Sequence, residues 1–288
     1  MLFDTHCHLN FKAFDVTVPT VLKNANKYGV HNIVIPGTDV ETSQKAVTIA
    51  KTNSGLYAAV GIHPHHVYEL KSTGTVSAIA SADNTKLSVN KELEKIETLL
   101  LEKETVAIGE VGVDRYEYTS TKYQNYSVDE EFVSMQKSLL TDQIQLAIKY
   151  GKSLILHSRK AVDDLLNILT PNWDEKLRSR TVFHCCEADE RLLAYAIDKG
   201  IYIGVDGDIT WSKKKQRFIA LVPLERLVLE TDSPYLTPEE ARTTQAFPNE
   251  PKNITYVRDM VAHVHSIDPS EVEKRTTENA MKLFNIAH

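Results

Sequence analysis

The sequence predicts an α/β protein folded as a closed (β/α)8 barrel of the TIM type, and three observations predict it. Short apolar runs alternate with amphipathic stretches, the order expected of a parallel sheet wrapped by helices. Eight such strand-and-helix steps can be counted, which signals a closed barrel and not an open sheet. The length of 288 residues suits one barrel of about 250 residues with extra C-terminal helices. No break in composition marks a second domain, so a single domain over 1–288 is expected.

Taken in order, the first strand reads as Leu2–Leu9, and a helix over Val18–Tyr28 closes at Gly29. Asn32–Pro36 reads as a strand, Gly37-Thr38-Asp39 turns into a helix over Val40–Thr52, and Leu56–Val60 is the third strand. Beyond Gly61-Ile62-His63-Pro64-His65-His66, the Ser-, Thr-, Ala- and Asn-rich stretch 70–90 reads as an irregular surface insertion. The rhythm resumes with a helix at Lys91–Glu102, a strand at Val106–Glu110, a polar loop at 116–127 and a long helix at Asp129–Tyr150 ended by Gly151. A strand at Ser153–Leu156 delivers His157, a helix covers Ala161–Leu169, and a strand at Thr181–Phe183 delivers His184. A helix at Asp189–Lys199 stops at Gly200 before the strand Ile201–Val205, and a helix at Lys213–Leu221 precedes the strand Leu227–Glu230. Helices at Ile254–His265 and Pro269–Phe284 are expected to cap the barrel.

Composition narrows the function classes. The chain is 42% hydrophobic and 25% charged, ordinary for a protein with a sizeable core. Thirty-three basic against 39 acidic residues give a net charge of -6, which argues against a duplex binder working through a basic face. A nucleic-acid enzyme stays open, because bound divalent cations offset carboxylates where phosphate must sit. Cys7, Cys185 and Cys186 form an odd set without a Cys-x-x-Cys spacing, so no disulfide framework is expected. Neither a basic segment leading an apolar run nor 18 successive apolar residues occur, so a cytoplasmic protein without membrane association is expected.

The candidate chemistry sits at one place in each repeat. On a strand rising ~3.3 Å per residue, His6 and His8 project the same way, about 6.6 Å apart, and two imidazoles on one face can grip an ion. Glu110 ends strand four, His157 and His184 follow strands five and six, and Asp232 follows strand eight. Barrel active sites form at the carboxyl ends of the strands, so these six side chains should converge on one mouth. Singly each has a plain explanation: Glu110 a strand-end carboxylate, His157 a helix cap, His184 a core histidine. Mixed imidazole and carboxylate donors suit zinc, manganese, cobalt, iron or magnesium, and the histidines tilt the choice away from magnesium alone. Four histidines and two acids exceed what one catalytic ion needs, so two divalent ions per chain are expected, with Glu110 between them. The pair would acidify a shared water into a hydroxide, and Asp232 would orient it and collect its proton.

Several stretches together resemble one family. Phe3-Asp4-Thr5-His6-Cys7-His8, Gly61-Ile62-His63-Pro64-His65, Ile108-Gly109-Glu110-Val111-Gly112-Val113-Asp114, Leu156-His157-Ser158-Arg159, His184-Cys185-Cys186 and Leu229-Glu230-Thr231-Asp232-Ser233-Pro234-Tyr235-Leu236 are similar to the successive motifs of the TatD family of metal-dependent deoxyribonucleases. The resemblance runs from Phe3 to the Asn279-Ala280-Met281-Lys282-Leu283-Phe284 ending. It implies an amidohydrolase-type barrel, divalent-metal dependence, and hydrolysis of phosphodiester bonds in DNA, often from the 3′ end of single strands. It also implies that His6, His8, Glu110, His157, His184 and Asp232 are the metal ligands. DNA is then the expected partner, and no obligate protein partner is evident.

Other residues have roles by their chemistry. Arg159 is placed to meet a phosphate oxygen with its planar fork. His63 and His65 are candidates to donate to the scissile phosphate, Asp114 to orient a ligand imidazole, and Tyr235 to stack on a base. Cys7, alternating away from the histidines, is expected in the layer between barrel and helices. Two departures from the family pattern stand out. Residues 241–248 intervene before Asn249-Glu250-Pro251, and Asp206 and Asp208 add acid near the seventh strand's end, where they would repel a polyanion unless they face away or recruit cations. The rival readings are an amidohydrolase cleaving a small amide, ester or lactone at the same metal site, and a non-catalytic metal-stabilised binding module.

Overall fold

The structure, a computed structural model, describes residues 1–68, 82–119, 126–244 and 247–287, with the backbone alone described for 82–88. Eight parallel strands follow one another around a single sheet in chain order. They are β1 (Leu2–Asp4), β2 (Val30–Pro36), β3 (Leu56–Val60), β4 (Thr105–Asp114), β5 (Ser153–Arg159), β6 (Thr181–Phe183), β7 (Tyr202–Val205) and β8 (Leu227–Leu229). Helices lie between successive strands, giving the (β/α)8 barrel that the alternating pattern predicts.

The interior is one apolar layer built from every strand. Phe3, Val34, Ala59, Ala107, Ile155, Val182, Tyr202 and Val228, one from each of β1 to β8, pack together. Ala280, Met281, Leu283 and Phe284 join the same cluster, so the helix Pro269–Phe284 plugs the end of the barrel away from the strand C-termini. Side chains on the opposite strand faces pack in a second, larger cluster against the surrounding helices, and Cys7 belongs to it, fully buried.

The seam of the barrel is stitched just beyond β1 and β8. Thr5 N donates to Leu229 O at 3.0 Å, Asp232 N to His6 O at 2.9 Å and His8 N to Ser233 O at 2.7 Å, while Cys7 N turns the other way to Val34 O at 3.1 Å. This explains a difference from the sequence reading, in which the first strand runs to Leu9. The regular strand ends at Asp4; beyond it the segment carrying His6 and His8 keeps only these scattered bonds to β2 and to the chain after β8, with an isolated bridge between Cys7 and Ser233.

Other boundaries moved for physical reasons. The fourth strand continues four residues past the expected end at Glu110, since Gly112 pairs with His157 and Asp114 with Arg159. Glu110 sits at an irregularity in this pairing, between Ile108 and Val111, and its N–H donates to Gly37 O at 2.9 Å. Glycine is required at 112, because a Cβ there would lie 1.8 Å from His157 O. The fifth strand likewise runs on through His157 to Arg159. A helix occupies Ala82–Leu99, so the latter part of the expected irregular stretch 70–90 is helical, and that helix ends at Leu99 and not Glu102. It packs beside the helices Val40–Thr52 and Glu130–Tyr150, contacts that override its mixed local composition. The remainder of that stretch, 70–81, together with 120–125 of the polar loop and 245–246 of the 241–248 segment, lies outside the described residues. Among the described residues no helix is long and apolar enough to cross a membrane.

Candidate metal centre

The strand ends bring the expected donors into one cluster. His6 Nε2 and His8 Nε2 face each other at 3.2 Å, and Glu110 Oε2 lies 3.5 Å from both. Asp232 Oδ1 stands 3.8 Å from His6 Nε2, 3.6 Å from His8 Nε2 and 3.7 Å from His184 Nε2. The other Glu110 oxygen, Oε1, meets His157 Nδ1 at 2.6 Å and lies 3.7 Å from His184 Nε2 and from His63 Nε2. His6 and His184 stack face to face with centroids 3.5 Å apart. Asp232 adopts a left-handed φ of 50°, a conformation aspartate tolerates better than most residues, and its backbone bond to His6 O holds it there.

The donors fit a metal better than they fit one another. His8 Nδ1 lies 3.1 Å from Pro36 O, which calls for a proton on that nitrogen and leaves the Nε2 lone pair aimed at the His6 ring. Atoms set tetrahedrally at 2.0–2.1 Å from an ion such as zinc are about 3.4 Å apart. The contacts among His6, His8, Glu110 and Asp232, 3.2 to 3.8 Å, bracket that spacing. Ligand-competent triads overlap around Glu110: His6, His8 and Glu110; His6, His184 and Asp232; and Glu110, His157 and His184.

Carboxylates stand behind two of the imidazoles. Asp114 Oδ2 lies 3.1 Å from His157 Nε2 and 3.0 Å from His65 Nε2, and Glu230 Oε1 lies 3.1 Å from His184 Nδ1. Glu230 is itself fixed by the backbone N–H of Cys185 at 2.6 Å. On the other side Asp4 is the anchor, accepting from Thr231 N at 3.0 Å, from Thr231 Oγ1 at 2.7 Å and from His6 N at 3.3 Å. It ties the first motif to the last.

The electrostatics follow this layout. Burial, with the neighbouring His184 charge, holds His6 well below the ordinary histidine range. Burial pulls His8, His157 and His184 the same way, but carboxylates outweigh it. Asp232 and Glu110 push His8 up to about 9, Glu110 and Asp114 push His157 to about 9, and Glu230 and Glu110 push His184 to about 10. Burial would raise Glu110, yet His157 and His6 hold it well below the usual carboxylate range. The cavity therefore demands positive charge, which protons supply when no ion does.

The other expected residues spread around the rim. His65 is buried and bonded to Asp114 and Tyr126, while His63 borders Glu110 and packs edge-on against His157 at 4.6 Å. Tyr235 is exposed and meets Phe11, which stacks on His8 at 4.2 Å. Arg159 is exposed at the end of β5. Asp208 has recruited a cation, the buried Lys215 at 3.1 Å. Sequence reasoning passed over Glu230, Asp4, Tyr116 and Tyr118. Glu230 and Asp4 stand two residues before Asp232 and His6, the one available signal, whereas the two tyrosines resemble any polar loop.

Comparison with known proteins supports the use of divalent metal. The family described as TatD related DNase matches residues 3–285. A Bacillus subtilis protein named uncharacterized metal-dependent hydrolase YabD is 31% identical over 99% of this chain and 100% of its own. A Cronobacter sakazakii protein named 3'-5' ssDNA/RNA exonuclease TatD is 30% identical over 98% of this chain and 97% of its own. The crystal structure of YJJV, a TatD homologue from Escherichia coli K12, superposes with a TM-score of 0.82 at 28% identity, covering 99% of this chain and 98% of that one. This chain belongs to the TatD family, and it is a metal-dependent hydrolase of ester bonds.

Proposed function

We propose that the protein is a two-metal phosphodiesterase that removes nucleotides from the 3′ end of single-stranded DNA. The observation that carries this reading is the division of Glu110: Oε2 faces His6 and His8 at 3.5 Å each, while Oε1 faces His157 at 2.6 Å and His184 at 3.7 Å. A carboxylate with a separate imidazole set on each oxygen suits two divalent ions. His6, His8 and Asp232 would hold one, and His157 and His184 the other. Zinc, manganese, cobalt, iron and magnesium are all compatible with these donors. Such ions supply Lewis acidity and a nucleophile from water at neutral pH.

The chain's own groups divide the remaining work. Asp114 and Glu230 hold His157 and His184 by their outer nitrogens, which fixes the rings with the inner nitrogens toward Glu110. Asp232 Oδ1, among three imidazoles, takes the proton from the attacking water. Arg159 meets a phosphate oxygen and His63 donates to the same group, while Tyr235 offers a ring to a base. Relatives named for single-stranded DNA and RNA exonuclease activity support this substrate. The small-molecule amidohydrolase reading gains no comparable support, since the family match and these relatives point to nucleic acid.

The test is cleavage of 3′- and 5′-labelled single-stranded and duplex oligonucleotides with magnesium, manganese or zinc. Stepwise shortening from the 3′ end of single strands is expected. A fully metal-loaded protein that cuts none of them would overturn the proposal.

A further inference from the structure

Beside His157 the rim carries a cluster of aromatic and cationic groups. Pairing between β4 and β5 runs to Asp114 and Arg159, so Tyr116 and Tyr118, just past β4, lie next to the Arg159 side chain. The guanidinium carbon sits 4.0 Å from the Tyr116 ring centroid and 5.3 Å from that of Tyr118, and Nη1 donates to Tyr118 OH at 3.0 Å. Tyr118 OH donates in turn to Asp114 Oδ2 at 3.2 Å, the carboxylate that backs His157. Lys160, with a left-handed φ of 55°, brings its ammonium to 4.9 Å from the same Tyr116 ring. Arg159 and Lys160 are exposed and the tyrosines half-buried.

Three features point to a ligand. A guanidinium stacked on Tyr116 and tied at one edge to Tyr118 is a fixed plane, and only one of its five N–H groups is used among the described residues. Arg159 and Lys160 share one ring while neither forms an ion pair among the described residues, so two like charges stand together where an anion would relieve their repulsion. The plane is also joined through Tyr118 and Asp114 to His157, a proposed metal ligand, which places it on the rim of the same site. Planar cations backed by aromatic rings are what unstacked bases of single strands pack upon.

We propose that the Tyr116–Arg159 stack, fixed by Tyr118 and flanked by Lys160, seats a nucleobase adjoining the scissile phosphate. The base lies on the guanidinium face turned away from Tyr116, Lys160 meets the flanking phosphate, and the free Arg159 N–H groups remain for the scissile one. This rests on the phosphodiesterase reading and names the part of the nucleic acid that this side of the site grips.

The test compares KM for a single-stranded oligonucleotide with KM for the same strand carrying an abasic tetrahydrofuran residue at the terminal or the penultimate 3′ position. For the wild type, one abasic position should raise KM by about 5- to 150-fold. Tyr116→Ala and Arg159→Lys should raise KM for the intact strand and lose most of the discrimination against the abasic one. Tyr116→Phe, which keeps the ring, should restore the discrimination, and thermal melts verify that each variant folds. Intact and abasic strands with equal KM in the wild type, or undiminished discrimination in folded Tyr116→Ala, would overturn the inference while leaving the nuclease reading in place. A wild type inert toward every oligonucleotide would overturn the nuclease reading, and this inference with it.

Discussion

The two sides of Glu110 hold their imidazoles by different means. On the His6–His8 side the support is backbone: the His8 ring faces the Pro36 carbonyl, and the segment that carries both histidines is sewn into the barrel seam through His6 O and His8 N. On the His157–His184 side the rings are set by carboxylates, Asp114 and Glu230. Backbone support ties one half of the site to closure of the barrel. Carboxylate support helps raise His157 and His184 and leaves that half adjustable by single side chains.

The largest effect is expected where the halves meet. Glu110→Ala should abolish turnover and strip metal from both sides, as read by elemental analysis of the purified protein; a variant that keeps two ions would place the bridge elsewhere. Replacing His6 and His8 together with alanine should remove one ion and leave the other at least partly bound to His157 and His184. Loss of both would mean the halves are one coupled site. Asp114→Asn should weaken metal binding by about 10–100-fold. Titration of the metal-stripped variant reads this, and unchanged affinity would reduce Asp114 to a packing role.

A milder effect follows from protons. In the metal-free protein His8 and His157 titrate near 9 and His184 near 10, above the ~6.5 of an exposed histidine. Groups with raised folded values stabilise the metal-free fold fully below about pH 6.5 and lose that contribution as pH rises through 9 to 10. An ion must displace these protons, so its apparent affinity should strengthen from pH 6 to pH 9, with proton release on binding. Calorimetry in buffers of different ionisation enthalpy measures both, and a flat profile would contradict the charge layout.

The same contrast explains what was legible in the sequence. Apolar runs between amphipathic stretches revealed the barrel, because a strand buried on both faces reads as an unbroken apolar run set off from the helical period around it. The helices Val40–Thr52, Ile254–His265 and Pro269–Phe284 have the bounds their patterns predict. Six donors in or just after the C-terminal halves of strands were legible because the fold fixes which mouth those halves face. What stayed hidden depends on contacts distant in sequence. Beyond Asp4 the first segment is held by bonds to a segment over 200 residues away, and no local pattern records them. β4 and β5 outrun their apolar cores because pairing resumes beyond the irregularity at Glu110 and runs on to Asp114 and Arg159, where polar side chains hide the strand from the hydrophobic pattern. Glu230 and Tyr118 act on other side chains, and their roles emerge only once His184 and Asp114 are beside them.

The claim at the centre of this account is that Glu110 joins two ion sites. Anomalous diffraction from crystals loaded with manganese or zinc tests it most directly. Two peaks are predicted, one among His6, His8 and Asp232 and one beside His157 and His184, each touching a different Glu110 oxygen. A single peak held by Glu110, His157 and His184 at full metal loading would contradict it.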